Sequence, residues 1–149
     1  MDFQWTGDAH EGSVRLDAIR QNVNGQIETA APGNRDLWRI TQAVDELTSN
    51  CMRHAYGLGV PGGIRVDVET GGQKIQIVVE DTGRPFTGSL EKPLDLGPSM
   101  EGRFGGLGLA LTRMLVNELR YERVGALNRW TVVLDLSNPP RSERTTVPA

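Results

Sequence analysis

The chain has 149 residues, of which 38% are hydrophobic and 23% charged, and its formal net charge is −3. These values fit one ordinary globular domain of about 100–200 residues and exclude a fibrous or wholly disordered chain. The net negative charge argues against direct nucleic-acid binding. Because the sequence lacks a membrane-spanning run or signal-peptide pattern and has a single cysteine, we expect a cytoplasmic protein without a membrane partner.

The first third of the chain predicts a short strand and two helices. Residues 3–5 can form the strand, and apolar residues at helical spacing over residues 14–30 predict an amphipathic helix. The second helix is the clearest in the sequence, because apolar residues recur every three or four positions over residues 37–55. Asn34 is its expected N-cap, and the glycine-rich residues 57–63 end it.

The rest of the chain predicts two β-hairpins separated by a loop and a helix. Residues 64–69 and 75–80 alternate apolar and polar side chains on either side of a glycine pair at 71–72, as in an antiparallel hairpin lying on helices. A loop over residues 83–106 has the length typical of a functional lid. It precedes a helix over 107–117.

The last predicted elements are strands at residues 119–124 and 128–136. The order of helices, strands, loop, helix and strands predicts an α+β fold. This fold is a two-layer sandwich, in which a mixed, mostly antiparallel sheet carries helices on one face. We expect a single domain over residues 1–136. Residues 137–149 are rich in Pro, Ser, Thr and Arg, which indicates a disordered tail.

Three groups of residues suggest chemistry. In the first, Glu46, Asn50 and His54 are spaced four apart and form one row beside the apolar stripe of the second helix. A carboxylate and a carboxamide at the edge of a buried face can hold a hard cation and orient a hydroxyl or water. The alternative is a solvated polar flank, which any amphipathic helix has.

The second group ends an apolar strand. Asp81 is placed to accept hydrogen bonds from a ligand amine, and Gly83 allows a close approach of backbone to ligand. The alternative is a common Asp-x-Gly turn.

The third group is a glycine cluster at residues 102–108 that opens a helix. Free backbone N–H groups and the positive end of a helix dipole suit a phosphate. The cluster lacks the Gly-Lys pair of a P-loop, and it does not follow the first strand of a βαβ unit as a Rossmann fingerprint does.

In order and spacing, these groups resemble the GHKL ATPases, the superfamily of DNA gyrase, a heat-shock chaperone, sensor histidine kinases and mismatch-repair ATPases. The asparagine box of that superfamily corresponds to residues 43–56, the first glycine box to 80–86 and the second to 105–109. Residues 120–123 are similar to the small bacterial anti-sigma-factor serine kinases within it. The resemblance covers about residues 14–136 and implies the Bergerat-type ATP-binding fold.

The resemblance implies a role for each matching residue. Asn50 would bind Mg²⁺, Glu46 would be the general base, and Asp81 would accept the adenine amino group with Gly83 packed nearby. His54 falls in the asparagine box, where a packed structural role is expected rather than a catalytic one. The remaining ATP-binding residues would be Arg103, near the γ-phosphate, and the phosphate-lining stretch Gly105, Gly106, Leu107 and Gly108.

The function implied is that of an anti-sigma-factor serine/threonine protein kinase using ATP and Mg²⁺. Such a protein sequesters a sigma factor and phosphorylates a serine on a small anti-anti-sigma antagonist. At this chain length we expect no dimerising helical domain of the sensor-kinase type. Two alternatives stay open: a non-catalytic nucleotide-dependent switch, and a stand-alone histidine kinase catalytic domain. A homodimer is also left open.

Overall fold

The computed structural model describes residues 1–5, 9–28, 33–52, 61–88 and 104–137. In chain order the elements are β1 (Asp2–Trp5), α1 (Ala9–Ile27), α2 (Asn34–Asn50), β2 (Gly62–Gly71), β3 (Lys74–Asp81), α3 (Phe104–Leu115), β4 (Glu118–Val124) and β5 (Leu127–Asp135). The predicted order of elements and the α+β fold class are confirmed. In the described part of the chain, no helix is both long enough and apolar enough to cross a membrane.

The five strands form one open sheet in the order β1-β2-β3-β5-β4. All four neighbouring pairs of these described strands are antiparallel, so the sheet shows no parallel pair of the kind a mixed sheet would have. The β2–β3 turn is formed by Gly72 and Gln73, whose φ angles are 57° and 63°. Positive φ at both central residues is typical of a tight hairpin turn, and it lies one residue beyond the predicted glycine pair.

The core lies between one face of this sheet and the helices. Every second residue of β3, starting with Ile75, is buried, whereas the opposite face carries charges such as Arg129, which pairs with Glu80 and Glu122 at 3.0 and 3.1 Å. Burial of the apolar face drives the packing of the two layers. The most deeply buried side chains are Ile19, Val23, Ile27, Ile40, Ala43, Val44, Leu47, Ile64, Val66, Ile75, Ile77, Val79, Val132 and Leu134.

Several helix ends differ from the predictions. α1 begins at Ala9, within a polar stretch supported by the Glu11–Arg15 ion pair, and ends at Ile27. The prediction of Asn34 as N-cap was wrong: Gly33 is the extended N-cap, and its carbonyl accepts the first helical hydrogen bond, from Leu37 N. Glycine is an accepted N-cap residue, so the helix needs no side-chain cap there.

α3 begins at Phe104, three residues before the predicted start, so the predicted loop is shorter at its C-terminal end. The predicted continuation of α2 through residue 55 and the predicted tail beyond residue 137 lie outside the described residues.

Candidate functional site

Asp81 is the last residue of β3 and lies on the core face, continuing the alternation of Ile75, Ile77 and Val79. It is only 3% exposed. Its Oδ1 atom accepts hydrogen bonds from Gly83 N at 2.8 Å and from Asn128 Nδ2 at 2.7 Å. Its Oδ2 atom is buried and has no hydrogen-bond partner in the described part of the chain. A buried unpaired acceptor costs about 1–3 kcal/mol, and more when it is charged, so this oxygen is suited to a ligand donor.

Asn128 faces Asp81 across the β3–β5 pair and is 2% exposed. Its Nδ2 atom also donates to the Arg84 carbonyl at 2.9 Å, and its Oδ1 atom accepts from Tyr121 Oη at 2.6 Å and from an Arg123 Nη atom at 2.8 Å. The sequence analysis missed this residue. The signal was present, because the inward alternation of β5, extended back from its apolar residues, ends on a buried asparagine.

An aromatic cluster holds the segment that follows Asp81. Phe86 packs edge-on against Tyr121 and Trp130, with ring centroids 5.3 and 5.0 Å apart. Phe86 N also donates to Tyr121 Oη at 3.0 Å, and an Arg123 Nη atom donates to the Gly83 carbonyl at 2.8 Å. The predicted first glycine box is therefore an ordered turn, fixed by side chains of β4 and β5.

The polar row of α2 has two different environments. Asp45 is bound by Arg20 of α1, with Nη2 2.9 Å from Oδ2 and Nε 3.1 Å from both carboxylate oxygens. Glu46 and Asn50 are half-buried one turn apart, and neither side chain is hydrogen-bonded within the described part of the chain. Of the two neighbouring carboxylates, Glu46 is the one available to a ligand.

Cys51 connects this row to Asp81. It follows Asn50 directly, keeps helical backbone angles and is 3% exposed. Burial raises the pKa of the Cys51 thiol well above its usual range, and the charge of the nearby Asp81 carboxylate and its hydrogen-bonding contact with the thiol raise that pKa further. The C-terminal end of α2 therefore reaches the end of β3 at Asp81, through the residue that follows Asn50.

The described part of the third group begins at Phe104 and lies in the first two turns of α3, which packs against α2. The backbone of Gly105, Gly106, Leu107 and Gly108 is helical there, and the first N–H groups of a helix have no intrahelical partner. Arg103, His54 and most of the predicted lid lie outside the described residues. Among the described residues, no group of three or more His, Cys, Asp or Glu side chains could bind a metal ion together.

Residues 11–134 match the family described as the histidine kinase-like ATPase domain. The chain belongs to this family. The match confirms the superfamily resemblance and runs from within α1 to within β5. No match was found among curated proteins.

Two of the solved structures similar to this ATPase domain come from one histidine kinase. The histidine kinase domain of the Erythrobacter litoralis EL346 blue-light activated histidine kinase is 20% identical, with a TM-score of 0.53, over 85% of this chain and 61% of that one. A second structure of that kinase is also 20% identical, with a TM-score of 0.52, and the match covers 83% of this chain and 41% of that one. At this identity the likeness shows the fold alone, and the chain spans about three fifths or less of those proteins.

Proposed function

We propose that this domain binds Mg-ATP and is a serine/threonine protein kinase of the anti-sigma-factor type. The observation that carries nucleotide binding is the buried, unpaired Oδ2 atom of Asp81. An adenine amino group would supply the missing donor, and Gly83 would lie beside the base.

The phosphate end of the nucleotide would lie along α2 and the start of α3. The carboxamide oxygen of Asn50 is a hard ligand of the kind that Mg²⁺ prefers, and one protein ligand suffices because nucleotide phosphates and waters complete the shell. The bound ion would neutralise phosphate charge. Arg103 and the helical stretch Gly105, Gly106, Leu107 and Gly108 would contact the phosphates.

Glu46 would act as general base in phosphoryl transfer. Its carboxylate would take the proton of a serine hydroxyl as the hydroxyl oxygen forms its bond to the γ-phosphorus and ADP leaves. The support for Glu46 over its neighbour is the ion pair that holds Asp45 against α1.

The partners would be a sigma factor, which the domain sequesters, and a small antagonist protein that carries the acceptor serine. This part of the proposal is supported by the motif resemblance, including residues 120–123. The histidine kinases among the similar structures favour a second candidate, a stand-alone catalytic domain acting on a partner's histidine.

The test is incubation with γ-labelled ATP, Mg²⁺ and an antagonist-like protein encoded beside this chain's gene. We expect label on the antagonist that survives acid, as phosphoserine does. An acid-labile label would indicate phosphohistidine, and the proposal of a serine kinase would then be replaced by that of a histidine kinase catalytic domain. Binding of ATP with no transfer to any antagonist would replace both by a nucleotide-dependent switch.

A further inference from the structure

We propose that Asn128 is a positioning residue that fixes the Asp81 carboxylate and thereby sets the preference for a base with an exocyclic amino group. The inference rests on the proposed nucleotide binding and adds a residue and a selectivity to it. Asn128 and Asp81 are cross-strand partners at the ends of β5 and β3, and both side chains lie on the core face.

The orientation of the Asn128 amide is fixed by the chemistry of its neighbours. The Asp81 carboxylate and the Arg84 carbonyl only accept hydrogen bonds, so they must face Nδ2. The Arg123 guanidinium only donates, so it must face Oδ1. A flipped amide would place Nδ2 against the donating Arg123 guanidinium and Oδ1 against the accepting Asp81 carboxylate. The network therefore allows only one orientation of the amide.

The same network fixes the carboxylate. The hydrogen bonds from the Asn128 amide and from Gly83 N both reach Asp81 Oδ1. Rotation of the carboxylate away from this orientation breaks both bonds inside a buried site. Oδ2 is thus held in one place as an acceptor with no donor of its own among the described residues. A base with an amino group satisfies it, whereas a base with a keto oxygen at that position sets two acceptors against each other.

The experiment compares binding of ATP with binding of inosine triphosphate, which has a keto oxygen in place of the amino group. Wild type should prefer ATP. Asn128→Leu removes the amide at similar volume, and we expect ATP affinity to fall about 10–100-fold, the worth of a hydrogen bond to a charged group. Affinity for inosine triphosphate should change little, so that the preference collapses.

The matched control is Asn117→Leu. Asn117 also fixes backbone through its side chain, accepting from Asp135 N at 2.8 Å, but at the opposite end of β5. This variant should keep the wild-type preference. If Asn128 had a purely structural role, Asn128→Leu would lower the affinities for ATP and for inosine triphosphate by the same factor. That result would overturn the inference. Wild type that binds neither nucleotide would instead overturn the proposed function.

A second variant tests the inference if Asn128→Leu fails to fold. If Asn128→Leu shows no cooperative thermal unfolding, Tyr121→Phe removes the hydroxyl that donates to Asn128 Oδ1 and accepts from Phe86 N, and it keeps the ring in the aromatic cluster. The ATP preference should then narrow, by less than in Asn128→Leu because Arg123 still faces the amide. An unchanged preference in Tyr121→Phe would contradict the positioning role.

Discussion

At the residue scale, the candidate site of this ATPase domain lies where an apolar face ends in polar side chains. Asp81 and Asn128 take core positions that continue rows of isoleucine, valine and leucine on their strands. Cys51 lies beside the carboxylate from the helix layer. A charge in this setting is retained at a cost to stability, as is common for residues that serve a ligand.

Cys51 gives a prediction about pH. Its thiol pKa is raised by burial and by Asp81, so above about pH 8.5 the unfolded chain loses a proton that the folded chain keeps. The unfolded state then binds fewer protons, and the free energy of unfolding should fall with rising pH by at most about 1.4 kcal/mol per unit. Urea unfolding between about pH 7.5 and 9.5 measures this slope.

The control for this prediction is Cys51→Ala. The cavity should lower its stability at every pH, but the part of the slope due to the thiol should be absent. Equal slopes in wild type and Cys51→Ala would show that the thiol pKa is not raised.

At the element scale, different faces of α2 contact the core, α1 and the candidate site. Its apolar stripe packs in the core, Asp45 and Thr41 contact Arg20 and Asn24 of α1, and its C-terminal end reaches Asp81 through Cys51. Neighbouring residues on one helix point in directions about 100° apart, so adjacent carboxylates have separate partners. This geometry separates Glu46 from Asp45.

Adjacent substitutions test this division. Glu46→Ala should leave Mg-ATP binding nearly intact and slow phosphoryl transfer by about 10²–10⁴-fold, the usual worth of a general base. Asp45→Ala removes an ion pair whose Arg20 side is 42% exposed, so it should cost at most about 1 kcal/mol of stability and keep wild-type transfer. Transfer lost in Asp45→Ala and kept in Glu46→Ala would reverse the assignment.

At the scale of the whole molecule, periodicity was sufficient to predict the layers. The apolar stripe of α2 and the alternation of β2, β3 and β5 specify which faces meet, and burial of those faces sets the architecture. The helix ends were harder to predict because they consist of polar residues and glycine, which show no apolar periodicity. α1 begins in a stretch with no apolar repeat, and Gly33 rather than Asn34 caps α2.

The site was predictable in part. Glu46, Asn50 and Asp81 follow local patterns along one segment each, so the sequence indicated them. The inward row of β5 shows that Asn128 is buried, but its partner Asp81 is 47 residues away, and a register of this kind is not visible in a single sequence. The contact of Cys51 with the end of β3 could not be predicted for the same reason, because Cys51 and Asp81 are far apart in the sequence.

The proposed nucleotide binding depends most directly on the unpaired oxygen of Asp81, which would accept a hydrogen bond from the base. The direct measurement is titration of wild type and Asp81→Asn with Mg-ATP, beside thermal unfolding of both. An asparagine can keep the hydrogen bonds from Gly83 and Asn128 through its carbonyl oxygen, but it presents a donor in place of Oδ2. We expect Asp81→Asn to unfold at or above the wild-type temperature and to bind ATP about 10–100-fold more weakly. Equal ATP affinity in the two proteins would contradict the account.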